Sequence, residues 1–261
     1  MALLPVVDTP PAKFSWARHR YELWHHVQRE DDPTQFLRWS TVEGTMVVGD
    51  VPHIREELAV LKAEVPNWRN ITKATGFGGE RLLEDDISPN LVHQAYRLHV
   101  FERRTRLKIS SMRHIIEIGG GFGAMAVAAY RFGFNGVYEI YDLPEFSLLQ
   151  EYYLSHIQVQ TQTRVWCIGK PPFIAQTGTD LLIGMWSIGE MPIEERAQIE
   201  SEAKRIKHFL FAFMPDFGAL NNTQWFEEFA YTAERPGYAW YTTPAACSSL
   251  YLIGKKLRER E

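Results

Sequence analysis

Residues 114–130 read H-I-I-E-I-G-G-G-F-G-A-M-A-V-A-A-Y. Apolar, β-prone residues run into three consecutive glycines, a fourth glycine follows one residue later, and small helix formers come next. A strand that ends in glycines and turns into a helix offers backbone N–H groups and a helix N-terminus to a ligand. Gly119, Gly121 and Gly123 can each relieve a steric limit: a tight turn, a close ligand or a close helix. Gly120 lies between the first two. Three ligand classes suit such a turn: a nucleoside triphosphate, a nicotinamide dinucleotide and S-adenosylmethionine. No Lys-Ser or Lys-Thr follows the last glycine, which removes the triphosphate loop. Gly119-x-Gly121-x-x-Ala124 fits a dinucleotide fingerprint, so that class survives this step.

Two carboxylates narrow the choice. Glu117 stands two residues before Gly119, where it can order the glycine turn or accept a hydrogen bond from an ammonium. A pyrophosphate at the same place would be repelled. Asp142, in Y-E-I-Y-D-L-P-E, falls at the end of the next expected strand, roughly 20 residues beyond the glycines. From there a carboxylate grips ribose hydroxyls, and it serves adenosine cofactors of both remaining kinds.

The elements that must position these groups fall into two blocks. Up to about residue 86 the text is helical: a helix from an N-cap at Ser15, a short one in P-T-Q-F-L-R-W, and one capped by Asp50 with Pro52 in its first turn. T-G-F-G-G-E-R-L-L-E-D-D is a glycine loop, and no strand is expected in this block, read as a cap or lid that binds substrate. Residues 88–108 give the clearest helix, with Ser88 as N-cap, Pro89 in the first position and Leu91, Ala95 and Leu98 on one arc. Beyond it strands and helices alternate: H-I-I-E-I-G, G-V-Y-E-I-Y-D, R-V-W-C-I-G, D-L-L-I-G-M-W-S and H-F-L-F-A-F-M are the strands. That rhythm implies an α/β, Rossmann-like, mostly parallel sheet with helices on both faces. G-Y-A-W-Y-T-T and S-S-L-Y-L-I-G-K-K have no helix between them, which predicts an antiparallel C-terminal hairpin closing the sheet.

Composition bounds the function. The chain has 261 residues, 45% hydrophobic and 23% charged, as in an ordinary globular protein. A net charge of -4 gives no electrostatic footprint for nucleic acid. Cys167 and Cys247 make neither a metal pattern nor a disulfide framework, and a reduced, cytoplasmic protein is expected. The first 14 residues lack a cationic leader, and no run reaches the roughly 18 apolar residues of a membrane span. The 8 Trp, 11 Tyr and 15 Phe are read first as core area.

E-I-G-G-G-F-G-A-M-A, Y-D-L-P-E-F-S-L-L-Q-E-Y-Y-L-S, D-L-L-I-G-M-W-S-I-G-E-M-P and the closing L-Y-L-I-G-K-K together resemble the class I S-adenosylmethionine-dependent methyltransferases. More narrowly they resemble the sugar O-methyltransferase group, over about residues 88–255. The resemblance implies that Gly119, Gly120, Gly121 and Gly123 face the methionine part of the cofactor, with Glu117 fixing that region. It implies that Asp142 binds ribose, that Leu143 packs beside adenine, and that Trp186 and Ser187 lie near the transferred methyl. Many members carry an acidic residue after the third strand for the adenine amino group; V-W-C-I-G-K-P-P has none, leaving backbone at Cys167 and Ile168. A methyltransferase core at 87–261, S-adenosyl-L-methionine as cofactor and a small-molecule hydroxyl acceptor are expected, with no nucleic acid, no membrane and a possible homo-oligomer. An NAD(P)-dependent oxidoreductase and a non-catalytic assembly module remain the alternatives.

Methyl transfer to a hydroxyl needs alignment and a proton acceptor. Of the 9 histidines, His93 is the first candidate because it lies beside the buried arc of the helix leading to the glycine strand. Glu190, opening the next helix near the carboxyl edge of the sheet, is the second, and His53 with the His25-His26 pair the third. Asp31-Asp32 and Asp85-Asp86 read as helix punctuation, and no tightly bound metal is expected. Asn221 and Asn222 have the turn-forming character to start a helix, or amides for a sugar.

Overall fold

Alternate residues of each strand point to opposite sides of one sheet, and two separate cores record this. Ile115, Tyr138, Ile140, Leu181, Ile183, Leu210 and Ile253 pack on one side. Ile116, Ile118, Tyr141, Leu182, Phe209, Phe211 and Leu252 pack on the other. The computed structural model describes residues 16–29, 31–157, 162–167, 175–232 and 237–257. The strands of the main sheet are β1 (His114–Ile118), β2 (Val137–Asp142), β3 (Gln162–Cys167), β4 (Thr179–Met185), β5 (Ile206–Phe213), β6 (Tyr238–Pro244) and β7 (Leu250–Lys256). Their order across the sheet is β3-β2-β1-β4-β5-β7-β6. β1 to β5 pair in parallel, and β7 is antiparallel to both its neighbours, as the hairpin text predicts. The order reverses between β1 and β4, and ligands of such sheets bind outside the carboxyl ends at that point.

The helices are α1 (Trp16–Gln28), α2 (Ser40–Met46), α3 (Pro52–Glu64), α4 (Trp68–Thr72), α5 (Pro89–Thr105), α6 (Ala124–Arg131), α7 (Pro144–His156), α8 (Ser187–Glu190), α9 (Ile193–Glu202) and α10 (Asn222–Tyr231). Helix α5 starts as its sequence predicts: Ser88 Oγ accepts the Leu91 N–H at 3.0 Å. It is buried on two sides. Leu91, Leu98 and Phe101 join the sheet core, while Val92 and Ala95 meet Ile54, Leu58 and Leu61 of α3. The N-terminal helices also reach the sheet core directly, through Leu23, Phe36, Leu37 and Val42.

Aromatic residues fill the second face. Trp225, Phe226 and Phe229 of α10 lie on Phe209, Phe211 and Phe213 of β5, with Phe213 and Phe226 stacked at 4.0 Å. Each buried ring of this kind contributes about 1.5–3 kcal/mol of transfer free energy. Most of the described Phe residues thus lie in the core.

Some local expectations change. Asp50 does not cap α3; Val51 holds that position, and Asp50 pairs with Arg55 instead. P-T-Q-F-L-R forms a 3-10 helix capped by Asp32, whose carboxylate accepts the Thr34 N–H at 2.9 Å. Glu190 does not open a helix; it closes the one-turn α8. Asn221 does start α10, accepting the Gln224 N–H at 2.9 Å, and Asn222 donates to the Met214 carbonyl at 3.0 Å. Before α5, pairing among the described residues is limited to the Lys73–Ile87 and Glu84–Ile87 bridges. Ser15, the first 14 residues and Ile168 lie outside the described residues. Among those described, no helix is long and apolar enough to cross a membrane.

Two glycines test the packing. A Cβ on Gly136 would overlap the Arg113 backbone carbonyl, whereas one on Gly44 in α2 meets nothing within 4 Å. Gly136→Ala should lose at least about 2 kcal/mol in urea unfolding. Gly44→Ala should gain about 0.5–1 kcal/mol, because alanine restricts the unfolded chain and favours helix.

Candidate functional site

The chain leaves β1 through Gly119 at φ +71 and Gly121 at φ +58, conformations that side chains other than glycine rarely adopt. What crowds each glycine differs. A Cβ on Gly119 would overlap the Cβ of Ser187, whose hydroxyl donates to the Ile118 carbonyl; this closes the ends of β1 and β4 together. A Cβ on Gly120 would come within 2.6 Å of Ile140 and 3.2 Å of Glu117 Oε2. One on Gly123 would lie 3.2 Å from Leu154 of α7. Gly121 meets only Met46 of α2, at 3.8 Å. Three of these glycines therefore serve the protein's own close packing, and Gly121 alone has room beside it. Gly123 is also the N-cap of α6, without a side-chain cap, so the first N–H groups of that helix face the turn.

Two carboxyl groups lie beneath the turn, both on the sheet face that carries α6 and α7. Asp142, at the end of β2, is 8% exposed. Its Oδ2 accepts the Gln150 amide at 2.6 Å, its Oδ1 accepts the Leu143 N–H at 2.8 Å, and the Gly120 and Gly121 N–H groups also donate to it. Burial raises its pKa to about 7 in spite of those donors. Glu117 is 2% exposed and accepts the Tyr138 hydroxyl at 2.9 Å. Burial, with the nearby Asp142 adding to it, raises Glu117 to about 8. Gln150 also donates to the Gly121 carbonyl at 2.9 Å, and both of its N–H groups are thereby used. Among the described residues its buried Oε1 has no partner. The site thus has the first N–H groups of α6 above, two acids below and one unused acceptor at its side.

A second polar array lines the side toward β4. Trp186 follows β4 at φ +66, a strained position for a tryptophan that costs about 1–3 kcal/mol. Its indole N–H donates to Ser249 at 3.1 Å, and the Arg97 guanidinium lies 4.6 Å over its ring. Arg97 Nη2 is 2.6 Å from His93 Nε2. An arginine can only donate, so Nε2 must be the acceptor and the proton of neutral His93 sits on Nδ1. Nδ1–H then donates to Glu57, whose oxygens are 2.8 and 3.0 Å away. Burial first and Arg97 second hold His93 well below its ordinary pKa, while burial raises Glu57 to about 8. The structure therefore places His93 6.0 Å from Trp186 with both nitrogens engaged. It holds Arg97 against the tryptophan, and it gains a proton only if Arg97 leaves.

Glu190 comes from the turn after Trp186 and accepts the Trp16 indole N–H at 3.1 Å; burial raises its pKa. Arg20 of α1 pairs with Glu145 at the start of α7, at 2.6 Å. Together with Met46, these contacts bring α1 and α2 over the turn. Leu143, expected beside adenine, is half-buried and opens α7. Cys167 sits at the end of β3, in register with Asp142. The remaining histidine candidates lie apart from the turn: His26 pairs with Asp31 at 2.6 Å, and His53 stands 5.7 Å from His93. Among the described residues no three His, Cys, Asp or Glu side chains gather as for a metal ion. Glu57, Arg97 and Gln150 are the residues that sequence reasoning passed over; a helical wheel gives no sign of their partners.

No protein-family model matches the chain, and no curated protein sequence matches it. Similar solved structures are methyltransferases. A human methyltransferase 10 domain containing protein shares 10% identity over 63% of this chain and 82% of its own, at a TM-score of 0.47. The mitomycin 7-O-methyltransferase MmcR shares 13% over 92% and 70%, at 0.46. The glycopeptide N-methyltransferase MtfA, complexed with S-adenosyl-L-methionine, shares 12% over 63% and 87%, at 0.47. Likeness this distant assigns no activity to this chain.

Two variants probe the buried groups. His93→Ala leaves Glu57 and Arg97 unpaired and should lose about 3 kcal/mol in urea unfolding, with His93→Gln recovering part of it. Glu117 keeps its proton in the folded state up to about pH 8, against 4.5 for the free side chain. Between those values the folded state binds more protons than the unfolded one, so this group's contribution to stability falls as pH rises. Glu117→Gln should match the wild type near pH 5 and become relatively more stable by pH 8.

Proposed function

We propose that this chain is an S-adenosyl-L-methionine-dependent O-methyltransferase acting on a hydroxyl of a small polar acceptor, a sugar or a natural-product intermediate, in the cytoplasm. The observation that carries the reading is the pair of buried carboxyl groups directly under the glycine turn. Held largely neutral by burial, they can ionise against a ligand that brings a cation and hydroxyl donors, whereas a pyrophosphate beside them would oppose that ionisation. S-adenosylmethionine brings an ammonium, a sulfonium and a ribose diol. The residues present fit it: Gly121 leaves room, the first N–H groups of α6 suit a carboxylate, and the orphan Gln150 Oε1 suits a hydroxyl donor.

In this reading Glu117 holds the ammonium, Asp142 and Gln150 the ribose, and Leu143 with the backbone at Cys167 the adenine. Trp186 and Ser187 border the methyl group. When bound, the cofactor supplies an activated methyl on sulfur for in-line displacement. The chain's own task is to orient the acceptor and take its proton. Glu190 suits that role, since burial has already moved it toward a basicity useful near neutrality. His93, with both nitrogens committed, is the positioning residue for Arg97 and Trp186. The N-terminal block, residues 1–86, serves as the substrate-binding cap. The choice of oxygen and of a sugar-like acceptor is supported by the motif resemblance.

Calorimetric titration with S-adenosylhomocysteine and with NADH tests this function. S-adenosylhomocysteine should bind and NADH should not; the reverse result ends the reading. Asp142→Ala should weaken S-adenosylhomocysteine at least about tenfold through lost hydroxyl contacts. Glu190→Gln should lower methyl transfer to a panel of sugar and phenolic hydroxyls about 10²-fold with cofactor affinity unchanged. Wild-type turnover in that variant removes Glu190 as base, and no turnover with any acceptor in the wild type favours a non-catalytic module.

A further inference from the structure

Away from the glycine turn, the C-terminal half of α5 and the edge of the β6–β7 hairpin enclose a cavity of about 300 Å³. Tyr96, Val100 and Tyr251 line it together with Arg103, Arg104 and Arg106. Tyr251 is buried, Tyr96 half-buried and the three arginines exposed, so the rings lie deep and the cations ring the opening. The chain carries a net charge of -4, yet three arginines line this one cavity. Arg103 reaches Glu64 at 3.4 Å, a carboxylate that it shares with His99. Among the described residues no acidic partner pairs with Arg104 or Arg106, and Arg104 donates to Thr243 Oγ1 at 3.3 Å.

The end of a helix favours basic residues through its dipole, which accounts for Arg103 and Arg104. It favours the charge of Arg106 as well, but not that residue's backbone. This residue is the C-cap of α5 at φ +61, the left-handed conformation in which helices commonly end on glycine. A long cation is kept where glycine would relieve the backbone, and it lines the cavity.

We propose that this cavity binds a small organic phosphate, its phosphoryl oxygens held by Arg104 and Arg106 and its ring or sugar packed on Tyr96 and Val100. Guanidinium groups match phosphate oxygens in pairs, and the volume suits a compact ligand. The site is distinct from the glycine turn. It adjoins the array beside Trp186, because the Tyr251 hydroxyl accepts a hydrogen bond from Arg97.

Calorimetric titration of the full chain with phenyl phosphate, inorganic phosphate and phenol tests the proposal, with thermal unfolding as a control. Phenyl phosphate should bind more tightly than inorganic phosphate, and phenol should not bind. Arg106→Gly should weaken phenyl phosphate at least about tenfold while raising the unfolding midpoint of the free protein. Arg104→Gln should give a similar loss with an unchanged midpoint. No binding of phenyl phosphate to the wild type, equal binding of phenol, or undiminished affinity in both variants overturns the proposal. So does tighter binding of a single-stranded RNA oligonucleotide that Arg106→Gly abolishes, which would make the groove a polynucleotide surface.

Discussion

The Asp142 carboxyl group, clasped by Gln150 and by the N–H groups of the glycine turn, is the interaction on which the site depends. It ties the end of β2 to the exit of β1 and fixes the turn above it. Gln150 completes the tie by reaching both Asp142 and the Gly121 carbonyl. The arrangement buries two acids side by side, and burial keeps both protonated further toward neutral pH than free side chains. A cation bound beside such a pair would draw a proton from it, a response that an anionic group at the same place would not produce.

The remaining polar array follows the same logic on the other side of the crevice. Arg97 is 2% exposed, and a buried guanidinium needs partners. It finds the His93 imidazole, the Trp186 face, the Gln94 carbonyl at 2.8 Å and the Tyr251 hydroxyl. Glu57 then fixes the His93 tautomer from α3, so a helix of the N-terminal block orients the wall of the crevice. Trp16, Arg20 and Met46 reach the turn from α1 and α2. The N-terminal helices are thus part of the site's construction, joined to it by hydrogen bonds as well as by apolar packing.

Much of the fold was legible because its signals are local. Short apolar, β-prone runs between helical segments mark the strands, Ser88 and Pro89 mark the start of α5, and the missing helix before L-Y-L-I-G-K-K marks the antiparallel end. Glu117, Asp142 and the glycines come together at one turn, as their places at the ends of neighbouring strands predict. What stayed hidden is set by distance along the chain. Gly119 is glycine because Ser187 arrives from the end of β4, and no pattern around residue 119 reveals that neighbour. His93 looked available on a helical wheel, but Glu57 is 36 residues away and makes the histidine a structural link between α3 and Arg97. Asp50 looked like a cap, and the adjacent Arg55 captured it. The left-handed backbones of Trp186 and Arg106 carry no sequence signature, since neither residue type favours that conformation.

Proton exchange on ligand binding is the most direct test of the buried-acid site. S-adenosylhomocysteine is titrated calorimetrically at pH 6.5 in two buffers of different ionisation enthalpy. Glu117 has its proton at that pH in the empty site, and an ammonium at the same place expels it, so release of about one proton is expected in the wild type and its loss in Glu117→Gln. Binding with no proton release, or with proton uptake, would contradict the placement of a cationic ligand over these carboxyl groups.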